Sequence, residues 1–414
     1  MNRRNFIEIT AAGSLIPTVR FSAALRSDQG QNPKIREIRN RIKPVTDEER
    51  LERVENARRL MRDQSIDAVF FEGGASLNYF TGVNWGRSER LFAMILPRNG
   101  DPVFIAPKFE EARAREQVVN ARLTTWEEHE NPYALVGRVL SDVSVTAGTL
   151  GMEETTRYFV TENIAKEMGA LKIVSGTPVT AGCRSIKSWH ELDLMQIADD
   201  ITSEVFKASL NEIREGMTEK EFTDIISKRF SEFGVSGGAL ALFGAASAHP
   251  HGLVKDLVLR EGDIVLVDGG CSVEGYSSDV TRTTVFGKPT EKMRKVWEIV
   301  RRAQDTALAT AKPGVPAEQI DAAARKIIVE AGYGQDYKYF THRLGHGIGM
   351  EGHEWYYLVR GNERPVQPGN TFSNEPGIYI AGEFGIRLED EMVITEDGAR
   401  LLLPQAESLE NIFP

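Results

Sequence analysis

Five side chains in the C-terminal half of the sequence are of types that could hold metal ions: Asp268, Asp279, His346, Glu375 and Glu389. Asp268 closes the apolar run Ile264-Val265-Leu266-Val267 and precedes Gly269-Gly270. Asp279 opens the run Val280 to Val285 eleven residues later, after the turn-rich Glu274-Gly275-Tyr276-Ser277-Ser278. A hairpin of that length can bring both carboxylates to one place. Glu375 precedes Pro376-Gly377, and Glu389 falls in Ile386-Arg387-Leu388-Glu389-Asp390, again at strand ends. Acids embedded in apolar strands are costly to bury unless a cation or hydrogen bonds compensate. Of the seven histidines, five lie in this half, and His346 sits among glycines in Leu344-Gly345-His346-Gly347-Ile348-Gly349. Backbone and imidazole can approach a ligand closely there. Four carboxylates and one imidazole suit two divalent cations, whose charges would cancel the four negative ones. Oxygen-rich ligation with one nitrogen favours Mn, with Zn or Co compatible. Two such ions about 3.5–4 Å apart can share and deprotonate a water, then hold the oxyanion of an attacked carbonyl. Taken singly, each residue reads as an ordinary turn, loop or surface group. Their joint occurrence in this order argues for a two-metal hydrolase.

The elements that must position these groups alternate along the chain. With 414 residues, 41% hydrophobic and 27% charged, the sequence is globular and long enough for two or three domains. Asp47 to Arg62 carries Leu51, Val54, Ala57 and Leu60 at helical spacing. Strands are expected at Ala68 to Phe71, Leu91 to Leu96, Val103 to Ala106 and Leu150 to Met152, with helices at Phe109 to Val119 and Thr161 to Met168. This is an α/β domain over residues 34–183, with a boundary near Arg184 to Ser188. Residues 184–414 open on a long helix, Glu191 to Ile213, and a second that starts at the capping box Thr218 to Glu221. Strands Ile264 to Val267 and Val280 to Val285, helices Glu291 to Ala311 and Ala317 to Ala331, and strands Gly377 to Ile380, Gly385 to Leu388 and Met392 to Ile394 follow. Strands, helices, then strands again predict an α+β domain whose antiparallel sheet is lined by helices.

Composition excludes several classes. The formal charge of −10 argues against a nucleic-acid binder, which needs clustered Lys and Arg. No apolar run approaches the ~20 residues that span a bilayer as a helix. Cys183 and Cys271 form no metal or redox spacing and read as buried free thiols. Residues 1–30 stand apart: Asn2-Arg3-Arg4-Asn5-Phe6-Ile7, a modestly apolar stretch and Ser22-Ala23-Ala24 read as a bacterial export signal of the twin-arginine type. Export to the periplasm is therefore expected. Glu8 and the weak apolar stretch leave a vestigial tail on a cytoplasmic protein as the alternative.

The ordered set Val267-Asp268-Gly269-Gly270, Tyr276 to Thr283, Gly345-His346-Gly347-Ile348-Gly349, Asn374-Glu375-Pro376-Gly377 and Arg387-Leu388-Glu389-Asp390 resembles the creatinase/aminopeptidase P/prolidase family of "pita-bread" metallopeptidases. The resemblance runs from about residue 40 to the end and includes Asn78-Tyr79-Phe80-Thr81-Gly82 of a smaller creatinase-like N-terminal domain. It implies a dinuclear centre on Asp268, Asp279, His346, Glu375 and Glu389, with Asp279 and Glu389 bridging and Glu375 also acting as general base. It further implies a substrate-side role for His251, stabilisation of the tetrahedral intermediate by His353, a place for His342 near a proline pocket, and support of substrate and ligands by Arg387. His249 has no counterpart and reads as a loop residue. The implied reaction is hydrolysis of Xaa-Pro bonds in short proline-containing peptides, by an aminopeptidase or dipeptidase that forms homodimers. Trp355-Tyr356-Tyr357-Leu358, after His353-Glu354, is bulkier than the family pattern and puts specificity in question. Two other readings stand beside this one: a small-molecule amidinohydrolase or lyase on the same fold, and a binding protein without chemistry. The intact ligand set disfavours the last.

Overall fold

The computed structural model describes residues 33–414 apart from Asn120 and Asp336. The proposed export segment lies outside the described residues.

The N-terminal unit contains helices α1 (Pro33–Arg41), α2 (Asp47–Asp63), α3 (Ala75–Thr81), α4 (Glu111–Arg115), α5 (Pro132–Asp142), α6 (Tyr158–Glu167) and α7 (Thr177–Arg184). Its strands are β1 (Ala68–Glu72), β2 (Ala93–Pro97), β3 (Val103–Pro107), β4 (Arg122–Trp126), β5 (Gly148–Met152) and β6 (Leu171–Ser175). They form one mixed sheet in the order β4-β3-β2-β1-β5-β6. The central strands β1, β2 and β3 are buried along their whole length, as expected of a sheet covered on both faces. The helix predicted over 109–119 is shorter: a 3₁₀ turn at Lys108–Glu110 leads into α4. In that segment only Ala114 and Val118 are buried while Phe109 and Val119 are exposed, so no apolar stripe sustains a longer helix.

The C-terminal unit begins with α8 (Trp189–Leu210), which starts two residues before its predicted position. Ser188 caps it, and the Glu191 side chain completes a capping box. The Thr218 box starts α9 (Glu219–Glu232) as predicted. Strands β7 (Ser236–Phe243), β8 (Ile264–Val273), β9 (Tyr276–Ser277) and β10 (Val280–Val285) make one antiparallel sheet, in which β8 is flanked by β7 and β10 and also pairs with β9. After α10 (Glu291–Thr310) and α11 (Ala317–Glu330), a second sheet has the order β12-β11-β13-β16-β17. Its strands are β11 (Gly345–Gly347), β12 (Glu354–Leu358), β13 (Thr371–Asn374), β16 (Asp390–Ile394) and β17 (Ala399–Leu401). The hairpin β14 (Gly377–Ile380) and β15 (Phe384–Arg387) stands beside it. One apolar core packs α10 and α11 against these strands, and another packs α8 and α9 against the back of β8. This is the expected α+β architecture of antiparallel sheets lined by helices.

One local expectation changes. β8 does not end before Asp268 but runs on to Val273, so Asp268 lies within the strand, opposite Thr281 of β10. Gly269 and Gly270 permit this. Gly269 has φ +152°, and a Cβ on Gly270 would lie 1.9 Å from the Ser278 carbonyl oxygen. Among the described residues no helix is long and apolar enough to cross a membrane.

Candidate metal centre

The two sheets bring their acidic strand ends together. Asp268 comes from within β8, and Asp279 from the residue before β10. Glu375 follows β13, and Glu389 bridges β15 and β16 while pairing by backbone with Thr281. Ligand atoms of Asp268, Asp279 and Glu389 lie within 4.8 Å of one another, as do those of His346, Glu375 and Glu389. A third such group joins Asp279, His346 and His353. The His346 imidazole is fixed by an Nδ1 contact of 3.1 Å to the Gly347 carbonyl, which leaves Nε2 3.4 Å from Glu375 and 3.7 Å from Asp279. A second contact aligns its strand: the His346 N–H donates to the Ser373 hydroxyl at 3.0 Å.

Supporting groups around the acids are mostly buried. The Arg387 guanidinium donates to Asp268 (2.6 Å), the Thr281 hydroxyl (3.2 Å), the Tyr379 hydroxyl (2.9 Å) and the Pro250 carbonyl (3.2 Å). Thr281 Oγ1 lies 2.8 Å from Asp268 and 2.6 Å from Glu389. Glu391 accepts the Asp279 N–H at 2.7 Å. His342 rests between the Arg343 carbonyl (2.8 Å) and the Tyr379 hydroxyl (2.7 Å), with Nδ1 3.8 Å from Glu375. The His353 ring stacks on His346 at 3.7 Å between centroids and is itself exposed. His251 lies exposed on the loop after the 3₁₀ turn Gly244–Ala248, close enough for its charge to act on His342 and His353. His249 is an exposed loop residue.

The electrostatics have a clear cause. Burial raises the carboxyl of Asp279, and the charges of Asp268 and Glu375 add to this. Burial raises Glu389 as well, with Asp279, Glu375 and Asp268 adding to it. Glu375 is pushed up to about 8, mainly by burial. Asp268 alone goes down: burial opposes ionisation there, but Arg387 and the Thr281 hydroxyl outweigh it. Burial lowers His346 to about 4 and His342 to about 3, which keeps both imidazoles neutral. Acids held this way lack compensating positive charge. Two divalent cations would provide it, and four carboxylates with one neutral imidazole are a fitting donor set for them.

The structure thus gathers Asp268, Asp279, His346, Glu375, Glu389 and His353, with His342 and Arg387 in contact with them and His251 exposed on its loop. Thr281 and Tyr379 were not singled out from the sequence. Their roles depend on which strands meet, and a lone hydroxyl in a strand signals nothing by itself. Both thiols are buried, and burial pushes each up to about 12.

Comparison with known proteins places this arrangement. Residues 193–396 match the model of metallopeptidase family M24, and residues 53–186 match the creatinase/prolidase N-terminal domain. An uncharacterized peptidase of Schizosaccharomyces pombe is 36% identical over 81% of this chain and 77% of its own. A crystal structure of prolidase from Thermococcus sibiricus is similar with TM-score 0.78 and 33% identity, covering 84% of this chain and 95% of that one. Dipeptidase PepE of Mycobacterium ulcerans is similar with TM-score 0.82 and 30% identity, over 88% and 98%.

Proposed function

This chain belongs to metallopeptidase family M24, and on that footing we propose that it hydrolyses Xaa-Pro bonds of short peptides at a dinuclear centre held by Asp268, Asp279, His346, Glu375 and Glu389. The observation that carries the reading is the convergence of these five groups from five segments: β8, the start of β10, β11, the end of β13 and the junction of β15 with β16. The similarity to a prolidase and a dipeptidase supports the substrate class.

When bound, two divalent cations, with Mn expected from the oxygen-rich donors, supply Lewis-acid activation of water and of the substrate carbonyl. The remaining chemistry belongs to side chains. Glu375 is the proton acceptor in this reading, because its buried carboxyl is pushed up to about 8 and so favours the protonated form. His353, whose imidazole is lowered by partial desolvation and by the charge of Arg343, can donate a hydrogen bond to negative charge developing on the attacked carbonyl. His251 faces the substrate from its loop. His342 keeps Tyr379 and the backbone of residue 343 in place beside Glu375. Arg387 has its donors committed to Asp268, Thr281, Tyr379 and Pro250, so it serves as a positioning residue that ties the acids to the loop of His251. A bond to proline nitrogen carries no N–H and constrains the preceding residue, so a site that needs neither is suited to it.

The test is mass-spectrometric analysis of products from Xaa-Pro dipeptides, Xaa-Pro-Yaa tripeptides, proline-free controls and creatine, with Mn²⁺ and with chelator. Metal-dependent release of Xaa from the proline peptides alone is expected. Turnover of creatine without peptide cleavage would instead favour a small-molecule hydrolase. Loss of neither activity nor bound metal in Asp268→Ala and His346→Ala would refute the centre.

A further inference from the structure

We propose that Asp199 and Glu391 form a third cation site, buried next to the dinuclear centre and built to hold Ca²⁺ through oxygen atoms alone. Asp199, on α8, is inaccessible to solvent, and among the described residues neither of its carboxylate oxygens has a hydrogen-bond partner. Glu391, on β16, is equally buried. Its Oε1 accepts the Asp279 N–H at 2.7 Å, while its Oε2 has no partner among the described residues. Three acceptor oxygens thus stand in the interior without a donor, where such atoms are nearly always satisfied. Their surroundings place both acids at one corner. The Cys271 thiol donates to the Ala198 carbonyl at 3.4 Å, and the Thr202 hydroxyl lies 2.8 Å from that of Ser278. Asp199 is three residues before Thr202, so it lies on the same face of α8. Glu391 comes to this corner from the second sheet, because Asp279 directly follows Ser278. After burial, Asp199 is the charge that most raises Glu391, and both acids act on the Cys271 thiol.

Charge balance points the same way. After burial, the charges that act most on Asp199 are those of Asp390 and Arg282, which are paired at 2.7 Å and cancel. The other contacts of the Arg282 guanidinium are to the carbonyls of Thr281, Glu389, Pro404 and Ile412. Lys187, whose charge also reaches Glu391, is held by Glu354 at 2.8 Å, and Asp200 has Arg41 at 2.5 Å. Asp279 belongs to the neighbouring centre. Asp199 and Glu391 are left with two formal negative charges, a deficit that one divalent cation fills. The donor types select the ion. Beside the carboxylates stand the hydroxyls of Thr202 and Ser278, and burial pushes the Cys271 thiol up to about 12, so it offers no thiolate. Oxygen donors of this kind take hard cations. Ca²⁺ suits the closed surroundings better than Mg²⁺, which gives up its waters reluctantly. An ion here would tie α8 to the backbone of Asp279 through Glu391 and so brace one edge of the dinuclear centre from behind.

In the experiment, the full-length protein is stripped with chelator, saturated with Mn²⁺ and equilibrated with Ca²⁺ or with Na⁺ alone. Elemental analysis then counts the ions per chain, and thermal unfolding follows Tm. The wild type should retain one Ca²⁺ per chain beside its Mn²⁺, and its Tm should rise with Ca²⁺ concentration. Asp199→Asn should lose both that Ca²⁺ and the rise while keeping its Mn²⁺, and Glu391→Gln should lose the Ca²⁺ as well. The difference in retained Ca²⁺ between wild type and Asp199→Asn decides the site whatever the count of Mn²⁺, so a failure of the dinuclear centre is read separately. No Ca²⁺ retained by the wild type, equal retention by Asp199→Asn, or an equal rise in Tm with Na⁺ would overturn the proposal. A Tm that Asp199→Asn raises in every buffer while Ca²⁺ changes nothing would overturn it too, as the mark of two acids held protonated. Should neither variant fold, the ion count of the wild type decides: a retained Ca²⁺ supports the site, and none overturns it.

Discussion

At the scale of single residues, Thr281 shows how much of the centre is built by groups that touch no substrate. Its hydroxyl lies between Asp268 and Glu389 while its Oγ1 also receives Arg387. Thr281→Val keeps the β-branched shape that the strand accepts and removes only this hub. Mn²⁺ affinity should fall by about 10–100-fold, as for other groups that orient metal ligands, with little change in secondary structure. Titration calorimetry of the chelated protein measures it. The five proposed ligands stand out in the sequence because each is an acid or imidazole in a place where burial demands compensation. Thr281 and Tyr379 do not, since hydroxyls are ordinary in strands and acquire meaning only when two sheets meet.

At the scale of elements, the hairpin β8–β10 depends on how closely its strands approach. Gly270→Ala would place a methyl group 1.9 Å from the Ser278 carbonyl, a contact no side-chain adjustment relieves. The strands carrying Asp268 and Asp279 must then part, and the variant should lose bound metal and activity together. Elemental analysis beside the product assay checks this. Capped helices were the most legible elements, because Thr218 with Glu221 is a local hydrogen-bond exchange written in four residues. Less was legible in β7, Ser236–Phe243, whose small residues follow no strand pattern and which pairs with β8 along its whole length only in the assembled sheet. β4, Arg122–Trp126, escaped notice similarly, being a half-exposed strand with little apolar signal.

At the scale of the whole molecule, the N-terminal unit is joined to the catalytic one by buried charge. Glu354, next to His353, receives Arg184 at 2.5 Å and Lys187 at 2.8 Å, all three nearly inaccessible to solvent. Glu354→Gln would leave buried Lys187 without its carboxylate and Arg184 with Glu351 as its remaining one, at a cost of about 3–5 kcal/mol. Thermal unfolding should show the loss as a lower Tm, and the slackened 348–354 loop should reduce kcat. A second bridge reaches the ligand hairpin itself. Arg53 of α2 donates to the Tyr276 hydroxyl at 2.9 Å, and that hydroxyl donates to Glu191 of α8 at 2.7 Å. Tyr276 stands between Asp268 and Asp279 in the chain. Boundaries drawn on the linear chain are therefore a poor guide to autonomy. A gene fragment starting at Trp189 would encode every proposed ligand, yet strip Glu191 of Arg53 and Glu354 of both its cations. Such a fragment would inherit the whole catalytic inventory without the scaffold that holds it to shape, so recombination between relatives should exchange this pair of modules together or not at all.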